Sequence, residues 1–324
     1  METYAQHTDW QRYQPFFPER WRAGPLTPRE ETWEWQGLQV HLDRLDAPEA
    51  PVKVVVLHGA GAYGRIMAPA AVLAARHGYA TVAPDLPGYG LTRVPWSRFT
   101  WETWIDCACA LIEAERDRPI VLLGVSLGGM LAWQVASRVK VDALAVTTLV
   151  DPREEAVRAD FARWETLGRY GIPMLGWLRG ATDGLPLPMR HLSKMHRISN
   201  DPTLSALCAN DPLGGGSWVP GRFLRTLMDT PLVVEPEDFR RCPVLLAHPG
   251  EDRMTDIAHS RRFFDRIAGT KRMVVLEGAS HMPTESPGVE ILEAEVLELL
   301  RSVRSEEHTS ELQSHSDLVC RLLL

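Results

Sequence analysis

A serine lies in the pentapeptide Gly124-Val125-Ser126-Leu127-Gly128, between an apolar run and a segment with helical spacing. This order of strand, sharp turn and helix is typical of a nucleophile elbow, in which the serine hydroxyl projects from the tip of the turn. The helix that follows offers unpaired backbone N–H groups and a positive dipole end, which suit a developing oxyanion. The pentapeptide also occurs in glycine-rich turns without function, but its context favours Ser126 as a nucleophile.

A serine hydroxyl becomes a good nucleophile only when a base removes its proton, and that base needs an acid to orient it. Asp252 and His281 each follow an apolar run, so both are predicted at the same edge of a sheet as Ser126. A histidine in a loop is usually only solvated. Here the small residues 278–280 before it, and the chain order of serine, acid and histidine, favour a catalytic role for His281.

The elements that must position these residues alternate between strands and helices, which predicts an α/β fold with a doubly wound, mainly parallel sheet. A hairpin is predicted at 32–45, turning near Gly37. Apolar runs predict buried strands at 52–57, 80–83, 119–124, 143–150, 244–247 and 272–276. Helical spacing is found at 66–77, 100–116, 256–267 and 288–301.

The rhythm of strands and helices is interrupted once, which predicts an inserted domain. Residues 1–150 form the first part of the core, with an irregular extension at 1–32, and residues 236–303 form the second part. Residues 151–235 contain helical patches at 154–167, 189–198 and 221–229 with many Pro and Gly, and are predicted to form a helical cap. Residues 304–324 fit neither part and resemble a translated sequencing adapter, so they are excluded from the fold prediction.

Composition restricts the function further. The 324 residues are 45% hydrophobic and 24% charged, with a net charge of −7 and no basic block of the kind that binds nucleic acid. No stretch approaches the roughly 20 apolar residues of a membrane span, and residues 1–22 lack the pattern of a signal peptide. The five cysteines show no metal-binding spacing. A cytoplasmic protein without a metal site is therefore expected.

Five features of the sequence together resemble the signature of the α/β-hydrolase superfamily. They are His58-Gly59, the loop Asp-Leu-Pro-Gly-Tyr-Gly at 85–90, the elbow around Ser126, Asp252 and His281. The resemblance covers residues 38–302. Within it, the long cap and the stretch Ser260-Arg-Arg-Phe-Phe264 after the acid are similar to the monoacylglycerol lipase and lysophospholipase branch (serine aminopeptidase S33-like).

The resemblance implies a role for each residue of the site. Ser126 is the nucleophile, His281 the general base and acid, and Asp252 the orienting acid, while the backbone N–H groups of Ala60 and Leu127 form the oxyanion hole. It also implies that no cofactor is needed. The family usually has a glycine three residues before the acid, where this chain has Pro249, with Gly250 one position later.

This displaced glycine leaves other carboxylates in competition for the orienting role. Asp151 follows the predicted strand at 143–150, and Glu251 and Asp256 lie beside Asp252. Asp252 is favoured because its loop is the one that the family most often uses. Asp151 precedes Pro152 and is typical of the start of a helix.

The expected function is hydrolysis of a carboxylic ester through an acyl-enzyme on Ser126, with a small-molecule ester as substrate. Apolar cap residues favour a hydrophobic acyl group, although they could equally pack the cap onto the core. Tyr63 and Arg65, just after the oxyanion loop, are candidate substrate contacts, with loop packing as the alternative. Two other functions stay open: amide, thioester or lactone hydrolysis with the same residues, and ligand binding by a catalytically silent relative.

Overall fold

The computed structural model describes residues 2–304, and the residues 305–324 of the predicted adapter-derived tail lie outside the described part. The centre of the fold is an eight-stranded sheet with the strand order β1-β2-β4-β3-β5-β6-β9-β10. Strand β1 pairs antiparallel with β2, and β2 pairs antiparallel with β4. All the other neighbours in this sheet are parallel. The predicted α/β fold with a mainly parallel sheet is therefore confirmed.

The strands agree with the apolar runs of the sequence, and the four strands β3 to β6 are buried along their whole length. Such burial on both faces explains their lack of polar alternation. The strands are β1 (Arg29–Trp35), β2 (Leu38–Leu45), β3 (Lys53–Leu57), β4 (Ala80–Pro84), β5 (Ile120–Gly124), β6 (Ala143–Val146), β9 (Val244–Pro249) and β10 (Lys271–Leu276).

Helices connect the parallel strands. In the core they are α1 (Ala68–Ala75), α2 (Trp101–Ala114), α3 (Leu127–Ala136), α10 (Ile257–Asp265) and α11, which covers residues 288–304. Helix α2 begins after Thr100, whose side chain accepts a hydrogen bond from the Thr103 backbone N–H, and α10 begins after Asp256, which caps the Ala258 N–H in the same way.

The insertion between β6 and β9 is mostly helical in short segments. It contains α4 (Glu155–Phe161), α5 (Ile172–Trp177), α6 (Arg179–Thr182), α7 (Met189–Leu192), α8 (Pro202–Asn210) and α9 (Gly221–Asp229). It also contains one antiparallel pair of three-residue strands, β7 (Pro186–Pro188) and β8 (Trp218–Pro220), for which the sequence showed no signal. The domain boundaries stay a prediction.

Two predicted strands differ from the structure by two or more residues. The strand predicted at 143–150 ends at Val146, and beyond it the backbone of Leu149 donates to the Ser260 hydroxyl instead of to a strand. The strand predicted at 244–247 continues to Pro249. Proline is tolerated there because β6 pairs with β9 only as far as Leu246, so that side of the strand needs no N–H at residue 249.

The N-terminal segment docks on the body through its aromatic side chains. Trp10, Tyr13, Phe17 and Trp21 are buried in the main core. Trp10 and Tyr13 lie on the 3₁₀ segment Thr8–Phe16, Phe17 directly follows it, and Trp21 ends the short 3₁₀ turn Glu19–Trp21. A third 3₁₀ turn follows at Gly24–Leu26. The extension predicted as irregular to residue 32 ends earlier, because β1 begins at Arg29 and pairs with β2 across a two-residue turn. Both turn residues, Gln36 and Gly37, have positive φ, as this kind of hairpin turn requires.

Candidate active site

Ser126 lies at a strained turn between β5 and α3. Its φ and ψ are 56° and −130°. Residues other than glycine rarely adopt this backbone conformation, and where they do, it is often at a functional site. The Thr147 hydroxyl, at the end of β6, holds the turn by accepting a hydrogen bond of 3.0 Å from the Ser126 backbone N–H. Residue 128 must be glycine, because a Cβ atom there would overlap the carbonyl group of Leu57.

The three predicted side chains form one hydrogen-bonded chain. The Ser126 Oγ atom lies 2.7 Å from Nε2 of His281, and Nδ1 of His281 lies 2.7 Å from Oδ2 of Asp252. His281 and Asp252 are buried, whereas Ser126 is half-buried and therefore accessible. This arrangement can transfer a proton from the serine hydroxyl to the imidazole while the carboxylate stabilises the resulting charge.

The second oxygen of Asp252 is also occupied. Its Oδ1 atom accepts hydrogen bonds from the backbone N–H groups of Met254, at 2.8 Å, and Thr255, at 2.9 Å. Burial raises the pKa of the Asp252 carboxyl, but His281 and these two donors outweigh it, so the pKa lies below its ordinary value. The carboxylate is thus kept ionised beside the imidazole.

The other candidate acids have different partners. Asp151 is buried and accepts three hydrogen bonds of 2.6 to 3.0 Å from the guanidinium of Arg153. Glu251 accepts from the side chain of Asn200, and Asp256 caps α10. The geometry therefore favours Asp252 over all three of them as the partner of His281.

The displaced glycine before the acid leaves this geometry intact. After β9, the Gly250 backbone N–H donates to the Leu276 carbonyl at 2.8 Å, and that of Glu251 donates to the Ala279 carbonyl at 2.9 Å. These two bonds hold the loop with the acid against the loop with the histidine. Asp252 consequently reaches His281 although Pro249 stands where the family has glycine.

The predicted oxyanion donors lie on two loops that touch. A Cβ atom added to Gly59 would be 3.0 Å from the Leu127 backbone nitrogen and 3.0 Å from Cβ of Ser126. The loop after β3, which carries Ala60, therefore passes directly beside the start of α3. The predicted oxyanion hole requires this closeness, because its two N–H donors would come one from each of these loops.

His58 was part of the resemblance to the α/β-hydrolase superfamily, but the sequence did not reveal what its side chain contacts. Its ring is fully buried, with Nδ1 2.8 Å from the Gly59 carbonyl oxygen and Nε2 accepting a 2.9 Å hydrogen bond from the Leu86 backbone N–H. Burial lowers the pKa of His58 to about 4. The ring is thus neutral and bonded at both nitrogens.

The two candidate substrate contacts point into the protein interior. Tyr63 is fully buried, and its hydroxyl donates to Asp211 in the cap at 2.9 Å. Arg65 is also buried, and its guanidinium donates to both oxygens of Asp43, at 2.5 and 2.6 Å. These contacts support the alternative of loop packing for both residues.

The insertion contacts the core around the site. The backbone N–H of Met282, next to the histidine, donates to the Ile198 carbonyl at 2.8 Å, and that of Gly90 donates to the Leu213 carbonyl at 3.0 Å. A Cβ atom on Gly61 would be 3.0 Å from the Met195 side chain. Residues of the insertion therefore border the loop that carries His281 and the loop after β3.

The apolar residues predicted for the cap divide into three groups. Met189 and Leu192 are buried and pack the insertion onto the core, and Leu175 and Leu187 are half-buried against it. The other four are exposed: Met174, Trp177, Leu178 and Leu185. Within residues 2–304, no helix combines the length and the apolar character that a membrane crossing requires.

Comparison with known proteins agrees with this architecture. Residues 54–294 match the model of the alpha/beta hydrolase family. Since this match spans most of the chain, the protein belongs to that family, as the sequence pattern predicted.

Curated relatives include lipases and esterases. Lipase LipV of Mycobacterium tuberculosis is 33% identical over 130 residues, which cover 39% of this chain and 45% of that protein. The chain thus spans less than half of LipV. A pimeloyl-[acyl-carrier protein] methyl ester esterase of Neisseria meningitidis is 29% identical over 270 residues, which cover 74% of each chain.

Solved structures show the same fold. A soluble variant of the monoglyceride lipase of Saccharomyces cerevisiae superimposes with a TM-score of 0.69 at 15% identity, covering 86% of this chain and 96% of that one. A monoacylglycerol lipase of Paleococcus ferrophilus superimposes with a TM-score of 0.65 at 23% identity, covering 81% and 98%.

Proposed function

We propose that this protein is a serine hydrolase that cleaves carboxylic esters. The observation that carries the proposal is the hydrogen-bonded chain from Ser126 through His281 to Asp252, with both links at 2.7 Å. Membership of the alpha/beta hydrolase family and relatives named as lipase and methyl ester esterase support it.

In the proposed mechanism, His281 accepts the proton of Ser126 as the serine oxygen attacks the ester carbonyl. The carbonyl oxygen gains negative charge, which the N–H groups of Ala60 and Leu127 stabilise. His281 then gives the proton to the leaving alkoxide, so an alcohol departs and an acyl-enzyme remains. His281 takes a proton from water as the water attacks this acyl-enzyme, and it returns that proton to the oxygen of Ser126 as the acid leaves.

The substrate proposed is a small-molecule ester with a hydrophobic acyl group. The relatives named as a lipase and as a methyl ester esterase support this class. The cytoplasmic location stays a prediction.

The test is hydrolysis of p-nitrophenyl esters of increasing chain length by the wild-type protein and by Ser126→Ala. We expect turnover by the wild type and a loss of kcat by about 10³–10⁶-fold in the variant, since loss of a nucleophile leaves only binding and oxyanion effects. Matched thioester, amide and lactone substrates measure the rival activities. Binding of the esters without any turnover would support the catalytically silent alternative instead.

A further inference from the structure

We propose that His58 is a positioning residue that fixes the direction of the Ala60 oxyanion N–H through the carbonyl group of Gly59. This inference rests on the proposed function, because it concerns the same oxyanion site. It assigns a task to a buried side chain that the proton transfers do not use.

The two hydrogen bonds of His58 define its protonation state. A carbonyl oxygen can only accept, so the Nδ1 atom that lies 2.8 Å from the Gly59 oxygen must carry a proton. A backbone N–H can only donate, so the Nε2 atom that receives Leu86 must be bare. The ring is therefore the neutral Nδ1–H tautomer, and the low pKa produced by its burial agrees with this state.

The bond to Gly59 reaches the oxyanion donor through one rigid unit. The carbonyl of Gly59 and the N–H of Ala60 belong to the same peptide group, which is planar and trans, so the two bonds point in opposite directions. The Gly59 oxygen also accepts from the Ala62 N–H at 3.2 Å. With its carbonyl held on one side, this peptide directs its N–H to the other.

The ring of His58 is itself held in place. It packs edge-on against Tyr89 and Trp104, with ring centroids 5.9 and 5.5 Å apart. The bond from Leu86 ties its far nitrogen to the loop after β4. A fixed ring can preorganise the peptide before substrate arrives, which is the property that makes an oxyanion donor effective.

Replacing His58 by asparagine or by glutamine tests its two hydrogen bonds one at a time. In His58→Asn the amide nitrogen occupies the place of Nδ1 and can still donate to the Gly59 carbonyl. In His58→Gln the amide lies near the place of Nε2, so it can keep the contact with Leu86 but loses the one with Gly59. The pair is matched in polarity and both variants remove the ring, so loss of packing affects both.

We expect His58→Asn to keep kcat within about threefold of the wild type. His58→Gln should lower kcat by about 10–100-fold at nearly unchanged KM, because a misdirected oxyanion donor weakens only the transition state. The affinity for a trifluoromethyl ketone, which forms a tetrahedral adduct with the serine, should fall in parallel with kcat/KM. Unfolding free energies measured for both variants show whether general destabilisation accounts for the difference.

Equal kcat values for the two variants, or an unchanged ketone affinity in His58→Gln, would overturn the inference while leaving the proposed function intact. A wild-type protein that hydrolyses no ester would instead remove the proposed function. A second measurement does not depend on folding of the variants: ¹⁵N chemical shifts of the histidine rings in the wild type at pH 7. A His58 ring protonated at Nε2 would also contradict the inference.

Discussion

Nδ1 of His281 lies 2.7 Å from Oδ2 of Asp252, whereas Asp151, in the connection after β6, is paired with Arg153. This difference in partners distinguishes the two carboxylates as candidates for the acid that orients His281. Only a carboxylate in contact with the far imidazole nitrogen can fix the tautomer and stabilise the imidazolium as it forms.

We therefore expect Asp252→Asn to lower kcat by about 10³–10⁴-fold with little change in KM, since the amide holds the imidazole in the wrong tautomer. Asp151→Asn is the matched control and should change kcat far less, although it weakens the ion pair with Arg153. Steady-state kinetics on one ester measures both. A crippled Asp151→Asn beside a nearly normal Asp252→Asn would reverse the assignment.

The close approach of Gly59 to the start of α3 gives a second prediction. Gly59→Ala places a methyl group 3.0 Å from the Leu127 nitrogen, so one of the two loops must move. We expect kcat to fall by about 10–100-fold, because displacement weakens the oxyanion donors. In the control Gly180→Ala, the added Cβ meets no described atom within 4 Å, and kcat should be unchanged. A fully active Gly59→Ala would contradict the predicted location of the oxyanion hole.

A carboxylate in the insertion joins two other parts of the chain. The hydroxyls of Tyr13, in the N-terminal segment, and Tyr63, after the oxyanion loop, both donate to Oδ2 of Asp211, at 2.8 and 2.9 Å. We expect Tyr13→Phe to lower the free energy of unfolding by about 1–3 kcal/mol, because a buried charged acceptor loses a donor. Denaturant titration measures this loss.

Tyr170→Phe on the exposed surface of the insertion provides the control, since Tyr170 is 61% exposed. Its unfolding free energy should stay within about 0.5 kcal/mol of the wild type. If the two variants were equally stable, the bond between Tyr13 and Asp211 would contribute nothing to holding the N-terminal segment on the insertion.

The raised pKa of His41 predicts that the free energy of unfolding depends on pH. Burial lowers the pKa of His41, but the carboxylates of Asp85, Asp43 and Glu30 outweigh it and raise the pKa from 6.5 to about 9. The Nε2 atom lies 3.0 Å from Glu30, and Nδ1 lies 3.3 Å from Asp85. The folded state is therefore still protonated at His41 where the unfolded state is already neutral.

The direction in which the free energy of unfolding changes with pH follows from the number of protons that the folded and unfolded states bind. The stabilisation by His41 is fully present below pH 6.5 and is lost as the pH rises to about 9, on the order of 3 kcal/mol in all. Unfolding free energies measured across this range should fall more steeply for the wild type than for His41→Gln. Parallel curves for the two proteins would show that the histidine is not charged in the folded state.

The meeting of Ser126, Asp252 and His281 could be anticipated because each follows a strand of a parallel sheet, and the carboxyl ends of such strands share one edge. The partners of Asp151 could not be anticipated, since they depend on a salt bridge with Arg153 rather than on position in the sheet. The β7–β8 pair was missed because three-residue strands carry no periodic signal.

The burial of Tyr63 and Arg65 also depended on distant parts of the chain. Tyr63 is bound by Asp211 from the insertion, and Arg65 is covered by the rings of Tyr4 and Trp10 from the N-terminal segment. Both residues follow the loop after β3, for which the oxyanion hole was predicted. The sequence contained no sign that remote segments would cover them.

The most direct test of the account is covalent labelling with a fluorophosphonate, followed by mass-spectrometric mapping of the modified peptide. We predict a single adduct on the hydroxyl of Ser126, and no adduct in a folded Ser126→Ala variant. Labelling that persists in this variant, or that maps to another serine in the wild type, would contradict the claim that Ser126 is the nucleophile.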